Sequence, residues 1–372
     1  MSSRDHVLVW DLPTRVFHWM LVLSFAGAWL AFDDDRYLYI HVYAGYVLLG
    51  LLVFRLLWGV IGSHYARFHT FAHDWPSVTA YLKGLINGNA ARHVGHNPAG
   101  SWAIFLMLLL ILVVTLSGML TLGGEERHGP FAGLLSYDAG VVFREVHEFS
   151  AWLMLAMVLV HVGGVIVESL LHRENLVMAM LTGYKEGGDS GVVVRPWSVI
   201  AVILMLLLLA SSFMTFRGYL SQTENEPYLP FKGIELSENE LWLNECGDCH
   251  MAYHPTLLPA RSWQLMMDGQ ADHFDDDLDL DDDVTEEITR FLLDNAADKL
   301  LIEPSWRIMQ STPPDQAPLR ITETVYWKKK HKEIEQRYWD SEKVGGKGDC
   351  GACHKDADAG TYEDAAMRLP RL

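Results

Sequence analysis

Across 372 residues, half are apolar, 20% are charged and the formal net charge is −18. A chain this acidic, with one short basic run in its carboxyl-terminal part, is excluded as a nucleic-acid binder. The averages conceal two unlike parts: residues 1–217 hold 13 Lys and Arg against 15 Asp and Glu, whereas residues 218–372 hold 16 against 32.

About 20 apolar residues span the hydrocarbon core of a bilayer. Five runs of that order are predicted to be transmembrane helices, at roughly 15–32, 38–60, 102–122, 146–168 and 197–216. Stretches such as SWAIFLMLLLILVVTLSGML and SVIAVILMLLLLASSFM are too long and too uniformly apolar for a soluble helix bundle. The connections 61–101 and 169–196 carry Arg67, Lys83, Arg92, Arg173, Lys185 and Arg195, and the amino terminus adds Arg4 and Arg15. The opposite side offers Arg36, Arg127 and Arg144 against Asp33, Asp34, Asp35, Glu125 and Glu126. The positive-inside tendency therefore predicts a cytoplasmic amino terminus and a fifth span that emerges outside. No cleavable signal is expected, because the first span follows a charged start and lacks a small-residue cleavage site.

A histidine inside a span is costly unless it serves a site. His18 lies near the cytoplasmic start of the first predicted span and His41 near the outer start of the second. The fourth carries His147 near its outer end and His161 deeper. Fourteen helical residues rise about 21 Å and return to within roughly 40° of the starting direction, so both imidazoles lie on one side of that helix. Depth then pairs His41 with His147 and His18 with His161, two bis-imidazole sites for two b-type haems. His69, His73, His93 and His96 sit in the connection 61–101 without a third ligand and read as loop polarity. The segment GGDSG, 187–191, has no nucleophile partner in view and reads as a turn.

Residues 1 to about 217 resemble the prokaryotic cytochrome b561 and hydrogenase-type cytochrome b superfamily. The carrying segments are WDLPTRVFHW, HVYAGYVLLGLLVFRLLWGVIGSHYARF, GHNPAGSW and REVHEFSAWLMLAMVLVHVGGV. The resemblance implies a membrane helical bundle with two b haems that exchanges electrons with quinone or a partner enzyme. It carries the ligand role onto His18, His41, His147 and His161, and Arg15 and Arg55 also fit its pattern, with a propionate or packing role.

All four cysteines belong to two copies of one unit, ECGDCH at 245–250 and DCGACH at 349–354. Two thiols three positions apart add to the two vinyl groups of one haem, and the adjacent imidazole then reaches the iron, which is how c-type haem is attached. A redox dithiol needs no following histidine, and a zinc site wants its two pairs much closer than about a hundred residues. Cys246, Cys249 and His250 are therefore expected to hold one haem, and Cys350, Cys353 and His354 the other. Such haem is attached outside the bacterial cytoplasm, which agrees with the predicted exit of the fifth span. For the sixth iron ligand the sequence offers His254, His273, His331, Met251, Met266, Met267, Met309 and Met367.

Residues 245–372 are similar to the small dihaem cytochrome c family, through CGDCHMAYHPTLLPARSW, ADHF, ITETVYWKKKHKEI and CGACHKDADAG. That resemblance implies bis-histidine ligation and points to His273 and His331; His254 stays as the alternative, and which distal histidine serves which haem is open. The run FDDDLDLDDD, 274–283, reads as a solvated acidic loop, with docking of a basic redox partner as the functional reading. KKKHK, 328–332, reads as a helix face.

The expected fold is all-α, a transmembrane bundle with a four-helix di-haem b core plus a fifth span, and a small, mainly helical periplasmic dihaem c domain. The expected divisions are 1–195, the fifth helix 196–217, a linker 218–244 and the c-type domain 245–372. The expected activity is electron transfer between the membrane quinone pool and a periplasmic redox carrier, with two b and two c haems in a multi-pass protein of the bacterial inner membrane. The resemblance suggests a small oxygen-binding monohaem cytochrome c as one such carrier. The alternatives are a haem-edge oxidoreductase acting on oxygen or superoxide, and a haem-bearing anchor for a partner dehydrogenase.

Overall fold

The computed structural model describes residues 6–33, 37–126, 129–131, 134–187, 199–220, 236–363 and 366–372, the side chains of 200, 212 and 215–220 excepted. Arg4, Asp34, Asp35, Arg36, Arg127, Arg195, most of GGDSG and most of the linker 218–244 lie outside the described residues. Among the described residues the elements are helices and one two-stranded sheet, so the expected all-α class is observed. The chain divides into two compact units, Met1–Gly118 with Phe143–Gln222, and Met119–Val142 with Thr223–Leu372.

The first unit opens with β1 (His6–Leu8) and α1 (Leu12–Leu30). Helix α1 begins where Asp11 accepts the Thr14 amide at 2.9 Å and Pro13 occupies the first turn, where its missing N–H costs nothing. The other Asp11 oxygen accepts from Trp58 Nε1 at 3.1 Å, which ties the start of α1 to the end of α2 (Leu38–Ile61). Helix α3 (Trp75–Ile86) is capped by Asp74, and α4 (Pro98–Gly124) starts where Asn97 Oδ1 accepts the Gly100 amide at 2.6 Å. Helix α5 (Tyr137–His172) is the longest of the set, and α6 (Leu176–Thr182) follows. Gly183 ends α6 at φ +92°, and its carbonyl accepts the amides of Val9 and Trp10. A Cβ there would meet the Trp10 carbonyl oxygen at 2.5 Å, so the left-handed turn and the close backbone approach both require glycine. Next, β2 (Tyr184–Glu186) pairs antiparallel with β1, and α7 (Val199–Leu220) closes the unit.

Three described helices, α2, α4 and α5, are long and apolar enough to cross a membrane. Helix α1 is outside that set, its first turns carrying Pro13, Arg15 and His18, and among the described residues Ala201–Ser211 of α7 is a shorter apolar helix. The observed helices run past the predicted spans because caps and polar turns extend them beyond their apolar runs: 102–122 becomes Pro98–Gly124 and 146–168 becomes Tyr137–His172. Phe17, Leu51, Phe54 and Trp58 form the core between α1 and α2, joined by Ala201 and Met205 of α7. Leu48, Leu52, Leu108, Ile111 and Met154 form a second core among α2, α4 and α5. Leu109, Leu112, Leu116, Trp152, Leu159 and Val160 stand exposed on α4 and α5, the arrangement expected when lipid is the solvent.

The second unit holds α8 (Glu240–Gly247), α9 (Ala260–Asp268), α10 (Asp282–Asp294), α11 (Glu303–Ser311), α12 (Val325–Lys330) and α13 (Gln336–Trp339). Its core is Trp242, Leu258, Trp263, Met267, Ile288, Phe291, Leu292 and Ala296. Within the same unit Tyr137 is buried against the Trp306 ring, and Trp306 Nε1 donates to Asp138 at 3.1 Å.

Candidate functional site

The chemistry-bearing side chains gather in histidine pairs. His41, in the first turn of α2, and His147, in α5, stand with ring centroids 5.8 Å apart. His41 Nδ1 lies 2.9 Å from the Ala28 carbonyl oxygen, and His147 Nδ1 lies 2.9 Å from the Val114 carbonyl oxygen. A carbonyl only accepts, so each Nδ1 carries the proton and each Nε2 keeps a lone pair for an electrophile such as a metal. Such a backbone partner on the far nitrogen is the usual way a ligating imidazole is oriented. Gly118 lets the His147 ring lie against α4: a Cβ there would stand 2.9 Å from its Cε1.

His18 of α1 and His161 of α5 lie within electrostatic reach of each other. In the same unit, buried polar atoms of Arg15 (Nε), His18 (Nδ1), Trp19 (Nε1), Ser63 (Oγ), Arg67 (Nε) and His96 (Nδ1) have no hydrogen-bond partner. Native interiors leave few such atoms unpaired, and most of these are donors. An anionic, ring-shaped ligand such as haem with its propionates fits that donor set. His96 departs from its reading as loop polarity: its ring packs on Trp10 at 4.6 Å and Phe71 at 4.2 Å. Burial, followed by the Arg55 charge, pushes it down to about 3. Arg55 is buried, donates Nη1 to the Ala66 carbonyl at 2.9 Å and lies 4.6 Å over Phe68, so its packing role is visible. Arg15 donates Nη1 to the Leu181 carbonyl at 2.6 Å and keeps Nε unpaired.

The second unit repeats the pairing. His250 and His273 have ring centroids 6.4 Å apart, and His331 and His354 6.1 Å apart. His331 is held by its Nδ1, 2.9 Å from the Trp327 carbonyl oxygen, and by the Trp327 ring stacked on it at 4.3 Å. The His354 amide donates to the Cys350 carbonyl at 2.8 Å, and Asp349 accepts the Ala352 amide, so the 350–354 turn presents thiols and imidazole together. All four cysteines are free. Burial and neighbouring acids (Glu245 and Asp349) push Cys246 and Cys350 up to about 11, the opposite of an activated redox dithiol. Free, paired thiols beside an imidazole fit covalent haem.

His254 is buried, with Nδ1 2.6 Å from Thr256 Oγ1, and its ring fills the space beside Gly360 at φ +69°. Burial pushes it down to about 4. Of the methionines, Met267 is core and Met367 bridges to the backbone of His354. The acidic run leaves His273 by a turn in which Phe274, Asp275 and Asp279 take positive φ and Arg320 lies 3.8 Å over the Phe274 ring. Among the described residues no group of three or more His, Cys, Asp or Glu is arranged to hold a bare metal ion. Gly118 was not singled out from the sequence, Arg67 counted only toward loop charge and His96 was read as loop polarity; for His96 the signal was its place in GHNPAGSW.

Residues 9–183 match the family model for prokaryotic cytochrome b561, and residues 242–362 match that for dihaem cytochrome c. Over 219 residues the chain is 24% identical to a "Probable Ni/Fe-hydrogenase B-type cytochrome subunit" of Rhizobium leguminosarum bv. viciae, covering 49% of this chain and 89% of the relative. The protein of the same name from Azotobacter vinelandii is 27% identical over 219 residues, covering 50% and 90%. A dihaem cytochrome c structure from Rhodobacter sphaeroides is 36% identical, covering 34% of this chain and 98% of that one with a TM-score of 0.31. Another, from Shewanella baltica OS155, is 32% identical, covering 37% and 97% with a TM-score of 0.30. The chain is a haem-binding membrane electron-transfer protein that joins a prokaryotic cytochrome b561 region to a dihaem cytochrome c region.

Proposed function

We propose that the chain carries electrons between quinone in the bacterial inner membrane and a soluble periplasmic cytochrome c, with two b-type and two c-type haems. The observation that carries this reading is the set of histidine pairs: His41–His147 at 5.8 Å, His250–His273 at 6.4 Å and His331–His354 at 6.1 Å, with His18 and His161 in electrostatic reach. When bound, haem supplies one-electron chemistry at iron. The residues of this chain hold, orient and insulate it.

In this reading His41 and His147 ligate one b haem through Nε2, their Nδ1 protons fixed on Ala28 and Val114 carbonyls. His18 and His161 would ligate the other, and the unpaired buried nitrogens of Arg15, Arg67 and His96 would be available to its propionates. Cys246 and Cys249 anchor one c haem between His250 and His273; Cys350 and Cys353 anchor the second between His354 and His331. Bis-histidine ligation keeps the potentials of the c haems low. Residues 1–195 form the b-type domain, 196–217 a fifth span, 218–244 a linker and 245–372 a periplasmic c-type domain, with a cytoplasmic amino terminus. The carrier is a soluble c-type cytochrome, an oxygen-binding monohaem type among the possibilities the family suggests. The relatives' name favours a second reading, in which the b-type domain exchanges electrons with a partner dehydrogenase.

Redox titration of the purified chain with optical detection tests the proposal. It predicts two b and two c haems per polypeptide and reduction of all four by a quinol. Failure of quinol to reduce any of them would refute quinone exchange and favour the partner-enzyme reading.

A further inference from the structure

Glu168 is buried in α5, on the same side of the helix as His161, because seven residues close almost two turns and advance about 10 Å. Three elements converge on it. Tyr81 of α3 donates its hydroxyl to Glu168 Oε2, Asn97 Nδ2 donates to the same oxygen at 2.9 Å, and His172 Nε2 lies 3.7 Å from Oε1. Lys185 of β2 is within electrostatic reach of Glu168 but is drawn to Glu174, at 3.7 Å, which Arg92 also engages at 3.1 Å. The His93 ring packs edge-on against Tyr81, with ring centroids 5.6 Å apart. Burial, with the bond to Glu168 adding to it, raises the Tyr81 phenol far above its usual range, so it stays a donor. The cluster is a buried carboxylate whose neighbours donate to the anion and whose nearest imidazole is free to relay a proton, since His172 Nε2 has no hydrogen-bond partner. A structural carboxylate is ordinarily paired with a committed cation, and this one is not.

We propose that Glu168 is a redox-linked proton site: it takes one proton from water, by way of His172, when the iron held between His18 and His161 gains one electron from a quinol. Per electron the balance closes: half a quinol becomes half a quinone and releases one proton to solution, ferric iron becomes ferrous, and one proton from solution turns the carboxylate into the acid. The driving force is electrostatic, because electron uptake on the same side of α5 adds negative charge in a low-dielectric interior that already holds this carboxylate. The inference rests on the haem-ligand reading above.

The test is potentiometric titration of the full-length chain at several pH values. The relevant b signal is identified as the one that disappears in His18→Ala. In the unaltered chain its midpoint falls as pH rises, with a limiting slope of about 59 mV per tenfold change in proton concentration. Glu168→Gln flattens that slope with both b signals present; an unchanged slope overturns the proposal. Should Glu168→Gln fail to load both haems, Tyr81→Phe decides. It removes a donor to the anion, so the bend in the plot moves to higher pH, and an unmoved bend overturns the proposal. A chain without b-type signals refutes the haem reading itself, an outcome distinct from a normal spectrum with an unaltered slope.

Discussion

His147 reaches across to His41 with its Nδ1 secured 2.9 Å from the carbonyl oxygen of Val114, which lies on a different helix. That bond fixes which nitrogen faces the partner ring. His147→Ala is therefore expected to remove one of two b-type signals, about half of the b absorbance, and to leave the c signals intact. Reduced-minus-oxidised spectra of the purified variant, with haem extraction to separate b from c, make the measurement. Full b absorbance in a double His147, His161 variant would refute the ligand assignment.

Gly118 is expected to be sensitive for a steric reason. An alanine Cβ would lie 2.9 Å from Cε1 of His147 and 3.0 Å from its Nδ1, closer than atoms in contact tolerate. Either the ring or α4 must shift, at a cost of about 1–3 kcal/mol. The expected result is weaker retention of one b haem, read as a lowered b-to-c absorbance ratio after detergent washing.

Replacement of His331 by alanine is expected to open one c iron and leave Cys350 and Cys353 in place, because His331 caps α12 whereas the two cysteines sit on the separate 350–354 turn. Covalent haem staining should be unchanged, while carbon monoxide should bind one c haem per chain. His273→Ala should do the same at the other c haem. Carbon monoxide binding to neither variant would count against both distal assignments.

Asp11 caps α1 and accepts from buried Trp58 Nε1 at 3.1 Å. Asp11→Ala loses a helix cap, worth about 1 kcal/mol, and strands a buried donor, at a further cost of about 1–3 kcal/mol. A lowered thermal midpoint, followed by b-haem loss, is the expected outcome. Asp11→Asn should recover much of the loss, since its amide oxygen still accepts.

His254 makes acid stability specific to one residue. Its folded-state value is pushed down to about 4 from an ordinary 6.5, chiefly by burial. Because the fold favours the neutral ring, the contribution is fully present above pH 6.5 and is lost as pH falls from there toward 4, amounting to roughly 3 kcal/mol. His254→Gln should reduce the loss of stability over that window in denaturant titrations followed at the c-haem band. If His254 is not a ligand, the same variant retains a six-coordinate c-haem spectrum.

Much was legible in the chain itself. Apolar runs of about 20 residues announce membrane helices because the bilayer thickness sets their length. The two Cys-x-x-Cys-His units are local, so their thiols and imidazoles lie on one turn whatever the rest of the fold does. The expected pairing of span histidines by depth rests on helix rise together with span directions inferred from charge, which need no tertiary information.

Other relations depend on segments far apart in sequence, which no local period encodes. Which carbonyl holds His147, which ring meets His250 and which meets His354 were decided by packing, 33 residues separating His147 from Val114. His96 looked like loop polarity until Trp10 and Phe71 closed over it, and Glu168, unremarked in the sequence, is met by Tyr81 and Asn97 from other elements. The sequence by itself determined where apolar helices and Cys-x-x-Cys-His units lie, because bilayer thickness and turn geometry act on consecutive residues. Only the tertiary structure decided the partners of each buried polar atom, because a hydrogen bond formed away from water is fixed by whichever distant segment fills the space beside it.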